Sequence, residues 1–341
     1  MSDIRPKVSI GLPVYNGENY LRQAIDSILG QTFEDFELII ADNASTDTTS
    51  EICREFAEKD RRIRYFRNDT NIGAARNFNR TFELSQGEYF KWAAHDDILD
   101  KEFLSRCVAV LDEDPTVVLC FSRIVMIDES GEPVGTYQHD NEMRFDAARP
   151  HERFRELMDT KHWTISVFGV IRSSALKMTP LIGSYVGSDR NLVAELGLVG
   201  RVFRVPDYLF FRRDHPGSSV EKIKNPQERL SWFDTDHSGK ICFPYWRNGL
   251  EYFKSVRKTS LSPTERLFCY LHIGSWYRNR PKWLYRELRF GAQQALSRSR
   301  LGRFLGPYLF LDIKESTRKM LYRSRLGRKL LETRRRILSR T

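Results

Sequence analysis

The chain lacks any apolar run near the ~20 residues that a membrane-spanning helix requires. Its longest candidate, Leu305 to Ile313, is far too short. The N-terminal MSDIRPKVSIGLP lacks the apolar core of a secretory leader, so a cytosolic or peripheral protein is expected. The five cysteines lack CxxC spacing, and no histidine stands at zinc-ligand distance from them, which argues against a zinc ribbon or a redox dithiol. Buried, reduced thiols are the reading that remains. GxGxxG is missing after the first apolar run, and GxxxxGK[ST] is missing throughout. These absences exclude a plain dinucleotide oxidoreductase and a P-loop nucleotidase. No internal repeat is present.

What is present is a folding composition: 341 residues, 40% hydrophobic and 12% aromatic. That length suffices for one large core with an appendage, or for two domains. Charge is divided unevenly. Residues 221–341 carry 28 Lys+Arg against 10 Asp+Glu, whereas residues 1–220 carry 27 against 35. A mildly acidic body is thus followed by a strongly basic third, which suits an anionic partner such as membrane lipid or nucleic acid.

Periodicity predicts strand and helix in alternation. Val8–Pro13 reads as a strand, and residues 18–30 as a helix with Leu21, Ile25 and Ile28 on one face. Phe36–Ala41 is the second strand, followed by cap and turn residues Asn43–Asp47 and a helix over 48–59. Ile63–Phe66, Gly73–Leu84 and Glu88–Ala94 read as strand, helix and strand. Four alternations indicate an α/β fold with a parallel, doubly wound sheet. Further on, residues 101–111 and Asp189–Leu198 read as helices; Val117–Ile127, Thr164–Arg172 and Val202–Arg213 read as extended. The body is expected to close near residue 220.

In an open parallel sheet, ligands bind beyond the carboxyl ends of the strands. The residues placed there are Pro13-Val14-Tyr15-Asn16, Asp42-Asn43, Asn68-Asp69 with Asn71, Gly73 and Arg76, and His95-Asp96-Asp97. The adjacent acids Asp96 and Asp97 follow a buried-looking strand, where their repulsion is costly. A hard divalent cation offsets that cost. Mg²⁺ or Mn²⁺ takes one or two carboxylates and fills its shell with diphosphate oxygens. The bland alternative is an N-cap on the helix that starts near Lys101.

VSIGLPVYNGE, IIADNASTD, NIGAARNFN and HDD, in that order and spacing, resemble family 2 glycosyltransferases of the GT-A fold. The resemblance is strong over residues 7–130 and weak over 131–220. It implies a Rossmann-like, mainly parallel sheet flanked by helices. It also implies inverting sugar transfer from a nucleotide diphosphate sugar of UDP, dTDP or GDP type, with Mn²⁺ or Mg²⁺. Residues 1–220 would be the catalytic domain, with 1–100 the nucleotide-binding half and 101–220 the acceptor half. By the same resemblance Pro13 and Tyr15 line the base, Asp42 accepts a hydrogen bond from it, and Arg76 lies near the nucleotide. Asp96 and Asp97 match the DXD-type motif, with Asp97 on the metal; His95 replaces the usual first Asp.

Inversion needs a general base opposite the leaving group. Asp189 in Val186-Gly187-Ser188-Asp189-Arg190 matches that position, although Ser188 replaces the usual Glu; Glu195 is the fallback. The segment Phe210–Ser219 resembles the end of the catalytic domain, where His215 would complete the metal shell and Arg212, Arg213 and Ser218 would meet phosphate. His162 and Trp163 are weaker candidates for the acceptor cleft. In the basic region 221–341, expected to be mostly helical, Arg and Lys alternate with Trp and Tyr over Trp276–Arg286. Residues 316–340 can be drawn as an amphipathic helix, which suits peripheral attachment to an anionic membrane. Nucleic acid shares those electrostatics but finds no reader motif. A glycan or lipid-linked acceptor in cell-surface polysaccharide or glycolipid synthesis follows as the expectation. The competing reading is a non-catalytic nucleotide-sugar-binding or membrane scaffold on the same fold. A nucleotidyltransferase is disfavoured because Pro13-Val14-Tyr15-Asn16 is not a Gly-rich basic loop.

Overall fold

The computed structural model describes residues 5–137, 146–158, 164–218, 226–233, 235 and 243–298. The strands are β1 (Val8–Val14), β2 (Phe36–Asp42), β3 (Ile63–Arg67), β4 (Tyr89–Trp92), β5 (Ile98–Leu99), β6 (Val117–Ile127), β7 (Pro133–Thr136), β8 (Val170–Arg172) and β9 (Arg201–Arg213). The helices are α1 (Leu21–Leu29), α2 (Thr49–Lys59), α3 (Ala74–Glu83), α4 (Phe103–Glu113), α5 (Pro150–Met158), α6 (Ser173–Leu176), α7 (Ser188–Val199), α8 (Pro226–Phe233), α9 (Pro244–Lys258), α10 (Pro263–Arg278) and α11 (Pro281–Arg298). Among the described residues no helix is long and apolar enough to cross a membrane.

The strands form one nine-stranded sheet in the order β3-β2-β1-β4-β8-β6-β9-β5, with β7 added to β6. β1 to β4 run parallel, as the alternation predicts. The short pairings of β8 and β5 are antiparallel. The period of two distributes side chains to two cores. Val8, Ile10, Leu12 and Val14 pack with α1 and α4 on one face. Phe90 and Trp92 pack with α5, α7, α9 and α10 on the other. Phe90 meets Trp92 edge-to-face at 5.0 Å, a geometry that contributes about 1 kcal/mol beyond burial.

The strand expected over Thr164–Arg172 is instead a 3₁₀ turn, Thr164–Phe168, followed by the short β8. Gly169 separates the two. A Cβ there would stand 2.5 Å from the Cys120 carbonyl, so the chain passes too close to β6 for an ordinary strand residue. The boundary expected near residue 220 falls outside the described residues. Beyond it, α9 and α10 belong to the same compact unit as the sheet, which runs to Arg280. The second unit contains α11, described here by itself. His162, Trp163 and the stretch 316–340 lie outside the described residues.

β1 outruns β4. Their pairing ends at Gly11 opposite Trp92, with Ala93 N–H donating to the Gly11 carbonyl at 2.8 Å. In a parallel ladder alternate residues face the same neighbour. The next β1 residue facing β4 is therefore Pro13, which has no N–H to give. Toward β2 the ladder continues, through Asn43 N–H to the Val14 carbonyl at 2.8 Å. The sheet thus splits between β1 and β4. β2 and β3 lie on one side of this gap and the rest of the sheet on the other, so it is the topological switch point where α/β sheets bind ligands.

The loops at this edge use left-handed backbone. Asn16 has φ 52° and Ala44 φ 62°. Asn tolerates that region; Ala pays about 1–2 kcal/mol. Ala44→Gly is therefore expected to stabilise the fold by about 0.5–1 kcal/mol, after allowing for glycine's greater entropy loss. A higher urea midpoint at unchanged slope is the check.

Candidate active site

The edge loops are built from short polar side chains that close on backbone groups. Asn16 N–H donates to Ser45 Oγ at 3.0 Å, and Asn16 Oδ1 accepts from Thr46 N–H at 2.8 Å. Gly17 N–H donates to Thr49 Oγ1 at 2.9 Å. Asp47, read from sequence as a helix cap, accepts from Thr49 N–H at 3.1 Å. A Cβ at Gly17 would lie 2.7 Å from the His95 ring, so glycine lets the β1 loop close onto the His-Asp-Asp loop. Pro13 is buried on β1, and Tyr15 beside it is 43% exposed at the mouth of the crevice.

Asp42 ends β2 and is wholly buried. Its carboxylate accepts from Ser45 N–H (2.8 Å), Ser50 Oγ (2.9 Å), Tyr65 Oη (2.9 Å) and an Arg67 guanidinium nitrogen (3.1 Å). Burial raises its pKa, but hydrogen bonds from Ser45, Tyr65 and Ser50 outweigh that and hold the carboxyl below its ordinary range. A nucleobase would have to displace one of these donors to reach it.

The neighbouring strand ends are joined by an asparagine network that sequence reading missed. Asn43 Oδ1 accepts from Asn68 Nδ2 (3.0 Å) and Ile72 N–H (2.9 Å), while Asn43 Nδ2 donates to Asn71 Oδ1 (2.9 Å). Asn77 accepts from Asn68 and donates to the Ala41 carbonyl at 2.7 Å. The only advance signal was the density of asparagine after β2 and β3. This network positions Gly73, with φ 84°, and the first turn of α3, where Arg76 is exposed. Nearby, Arg54 and Arg67 line a polar cavity of about 500 Å³ at the start of α2; neither Asp96 nor Asp97 lines it.

The carboxylate pair is fixed from the far side of the sheet. β5 begins one residue after Asp97 and pairs antiparallel with β9, Ile98 opposite Phe211. That register returns Arg213 to the His-Asp-Asp loop. Arg213 N–H donates to Asp97 Oδ1 at 3.0 Å. Its guanidinium donates to the carbonyls of Asp96 (2.9 Å), Asp128 (3.1 Å) and Glu129 (2.9 Å) and to Gln23 Oε1 (2.6 Å). Arg213 is only 2% exposed. The phosphate contact expected of Arg213 is therefore corrected: four of its five guanidinium N–H groups are spent on backbone carbonyls and Gln23, the side chain is buried, and it is the brace of the loop. Tyr20 lies against both the Arg213 guanidinium (4.6 Å) and the His215 ring (4.7 Å). His215 is buried, with Nε2 3.0 Å from Asp96 Oδ2. Asp96, Asp97 and His215 are thus brought together. Burial and the charge of Asp96 push Asp97 upward. At Asp96 burial is outweighed by His95 and His215, which hold it down. Among the described residues no three His, Cys, Asp or Glu side chains form a ready-made metal cage.

A second missed residue is Lys91 on β4. Period two puts it on the same face as Tyr89 and Ala93, inside the first core. It is fully buried, with Nζ donating to the carbonyls of Trp92 (3.0 Å) and Phe168 (2.5 Å) between the rings of Phe103 and Phe210. Among the described residues no carboxylate pairs with it directly; burial lowers its pKa to about 7, and Cys107 and Asp97 partly oppose the fall.

Asp189 lies in the first turn of α7, behind Gly187 with φ 86°. The loop leading to it is tied to α3: Asn79 Nδ2 donates to the Ile182 carbonyl (2.9 Å), and Asn79 Oδ1 accepts from Ile182 N–H (3.0 Å). Glu195 points away, accepting from Ser255 Oγ on α9 at 2.7 Å, so it is a buried link between helices.

Residues 9–177 match the model of glycosyl transferase family 2. An uncharacterised glycosyltransferase of Rickettsia typhi is 33% identical over 181 residues, 52% of this chain and 51% of the relative. The glycosyltransferase GlyA of Streptococcus pneumoniae is 37% identical over 98 residues, 29% of this chain and 14% of the relative. The chain thus spans about half of the first of these curated relatives and a seventh of the second. Among solved structures, Staphylococcus aureus TarS 1–349 with UDP-GlcNAc superposes with a TM-score of 0.58 at 18% identity, over 92% of this chain and 79% of that one. The mannosyltransferase PcManGT of Pyrobaculum calidifontis, with GDP-Man and Mn²⁺, gives 0.50 at 18% identity, over 96% and 83%. Residues 9–177 are a family 2 glycosyltransferase domain, and the fold is GT-A.

Lys91 makes a prediction about pH. Its unfolded pKa is near 10.4 and its folded pKa near 7. Between these values the unfolded chain holds a proton that the folded chain has shed. Stability therefore rises with pH across that window, by up to about 1.4 kcal/mol per unit. Lys91→Met is expected to remove this slope, read as the difference between the two proteins' denaturation midpoints from pH 7 to 10.

Proposed function

Taking the family 2 domain as premise, we propose that the chain is an inverting glycosyltransferase, using a UDP, dTDP or GDP sugar as donor and a hydroxyl of a glycan or lipid-linked acceptor. The observation that carries this reading is the half-buried, adjacent pair Asp96–Asp97 that follows β4, braced by Arg213 and His215. A pair so placed is costly without a cation. The ligands crystallised with the structural neighbours, UDP-GlcNAc in TarS and GDP-Man with Mn²⁺ in PcManGT, are of the proposed class.

The donor set suits a hard divalent cation: two carboxylates with one imidazole beside them, the remaining ligands falling to diphosphate oxygens of the donor. Asp97 would hold Mn²⁺ or Mg²⁺, with His215 as the second protein ligand. When bound, the cation would neutralise charge on the diphosphate leaving group. Pro13 and Tyr15 line the base, with the Tyr15 ring offering it a stacking face. Asp42 would accept a hydrogen bond from the base in place of one of its present donors. Asp96 faces the ribose, and Arg76 lies near the phosphates. Asp189 accepts the proton of the acceptor hydroxyl as its oxygen attacks the anomeric carbon. The bond from that carbon to the diphosphate oxygen breaks, the nucleoside diphosphate leaves, and configuration inverts. The basic C-terminal third supports work at the cytosolic face of a membrane, on cell-surface polysaccharide or glycolipid.

Thermal unfolding with UDP, GDP, dTDP or CDP, each with Mn²⁺, Mg²⁺ or EDTA, tests the donor site. One nucleotide is expected to stabilise the protein only with metal, by about 2.7 kcal/mol at a hundred times its dissociation constant. Asp97→Ala should abolish that shift. Asp189→Ala should retain it while losing about 10²- to 10⁴-fold in turnover. Absence of any nucleotide effect would overturn the reading.

A further inference from the structure

The exposed large apolar side chains are concentrated late in the compact unit. Leu250 and Phe253 on α9 are 54% and 38% exposed; Leu267 and Leu271 on α10 are both 57% exposed. Their spacing makes two stripes. Leu250, Phe253 and Arg257 follow one another at i, i+3 and i+7. Leu267, Leu271, Gly274 and Arg278 follow at i, i+4, i+7 and i+11. Phe253 stacks on Tyr270 at 5.5 Å, which joins the stripes into one face. The opposite side of α10 is buried through Cys269, Ile273 and Trp276, so this helix is apolar on both sides. A helix of that kind in a water-soluble setting leaves one side without a partner. Trp276, expected from its sequence neighbours to face a membrane, is instead only 5% exposed and packs edge-on to Tyr252 at 5.8 Å.

The face is rimmed by positive charge. Residues 244–278 hold six Lys+Arg and two Asp+Glu. Glu251 is shared by Arg247 (2.7 Å) and Lys254 (2.8 Å), and Arg257 and Arg278 close the ends of the stripes. We propose that the outer face of α9 and α10 is a docking surface for an anionic lipid bilayer. Leucine and phenylalanine enter the headgroup boundary, and the arginine and lysine rim meets phosphate. Charge decides the occupant. The segment 299–341 carries 13 Lys+Arg against three Asp+Glu, and a second copy would present the same basic rim. Both repel this face, whereas an anionic bilayer attracts it. The proposal deepens the membrane part of the function above and rests on it. It does not require the donor site.

The test is vesicle co-sedimentation of the full chain, without nucleotide or metal. Binding is expected on phosphatidylcholine–phosphatidylglycerol vesicles but not on phosphatidylcholine alone, and it should weaken with salt. Leu267→Glu with Leu271→Glu, and separately Leu250→Glu with Phe253→Glu, should each weaken binding at least about tenfold. Val134→Glu, which alters an exposed apolar residue on β7, should not. Unchanged thermal unfolding of the variants, and an unchanged nucleotide-induced shift, keep loss of folding and failure of the donor site separate from this result. Three results would overturn the proposal: no preference for anionic vesicles, binding that survives both double substitutions, or a wild-type dimer that the substitutions dissociate.

Discussion

A hydrogen bond that cannot be made organises this molecule. Position 13 faces β4 at the point where the β1–β4 ladder would take its next rung, and proline has no hydrogen to offer. β1 stays paired to β2, β4 turns away, and the sheet opens at its switch point. Everything placed at that opening gains an address from the split: Tyr15 on one lip, the His-Asp-Asp loop on the other, and Gly17 packed against the His95 ring.

Holding two acids in the opening is an electrostatic problem, and the fold answers it from three directions. β5 and β9 set the register that returns Arg213 to the loop, where the guanidinium organises carbonyls while its backbone N–H serves Asp97. His215 attends to Asp96. Lys91 puts an amine on the core side of β4, held by carbonyls and rings in place of a carboxylate and cationic only below about pH 7. Such an ion is expensive to bury. Its position in the strand that carries the acids, and their mutual electrostatic influence, account for what that expense achieves.

The elements with a strong period were legible beforehand. The apolar alternation of β1, β2 and β4 and the single-sided α1 and α3 depend on local pattern, and the structure follows them closely. Thr164–Phe168 reads as extended because its residues favour strands, yet the close pass of Gly169 over β6 is a tertiary constraint with no local signature. The same distinction separates the site residues. Asp96 and Asp97 stand out because adjacent acids after a strand contradict burial. Arg213 looked like a phosphate ligand because sequence shows its charge and hides the four acceptors that surround it. Lys91 was invisible because a lysine within a hydrophobic run looks like the polar half of an alternation. Asn43, Asn68 and Asn71 look like turn formers, and Asn77 like any polar position of a helix, until the strands bring them within reach of one another.

The Asn79 side chain binds both the N–H and the carbonyl of Ile182, as a facing strand would. That tie divides the connection between α6 and α7 into two short spans with a fixed midpoint. Chain-closure entropy is then set by each span separately, and the span from Ile182 to Gly187 is the one that locates Asp189. Length changes before the midpoint are absorbed there and do not reach the carboxylate. The five residues after it behave as a ruler measured from α3, the helix that also bears Arg76.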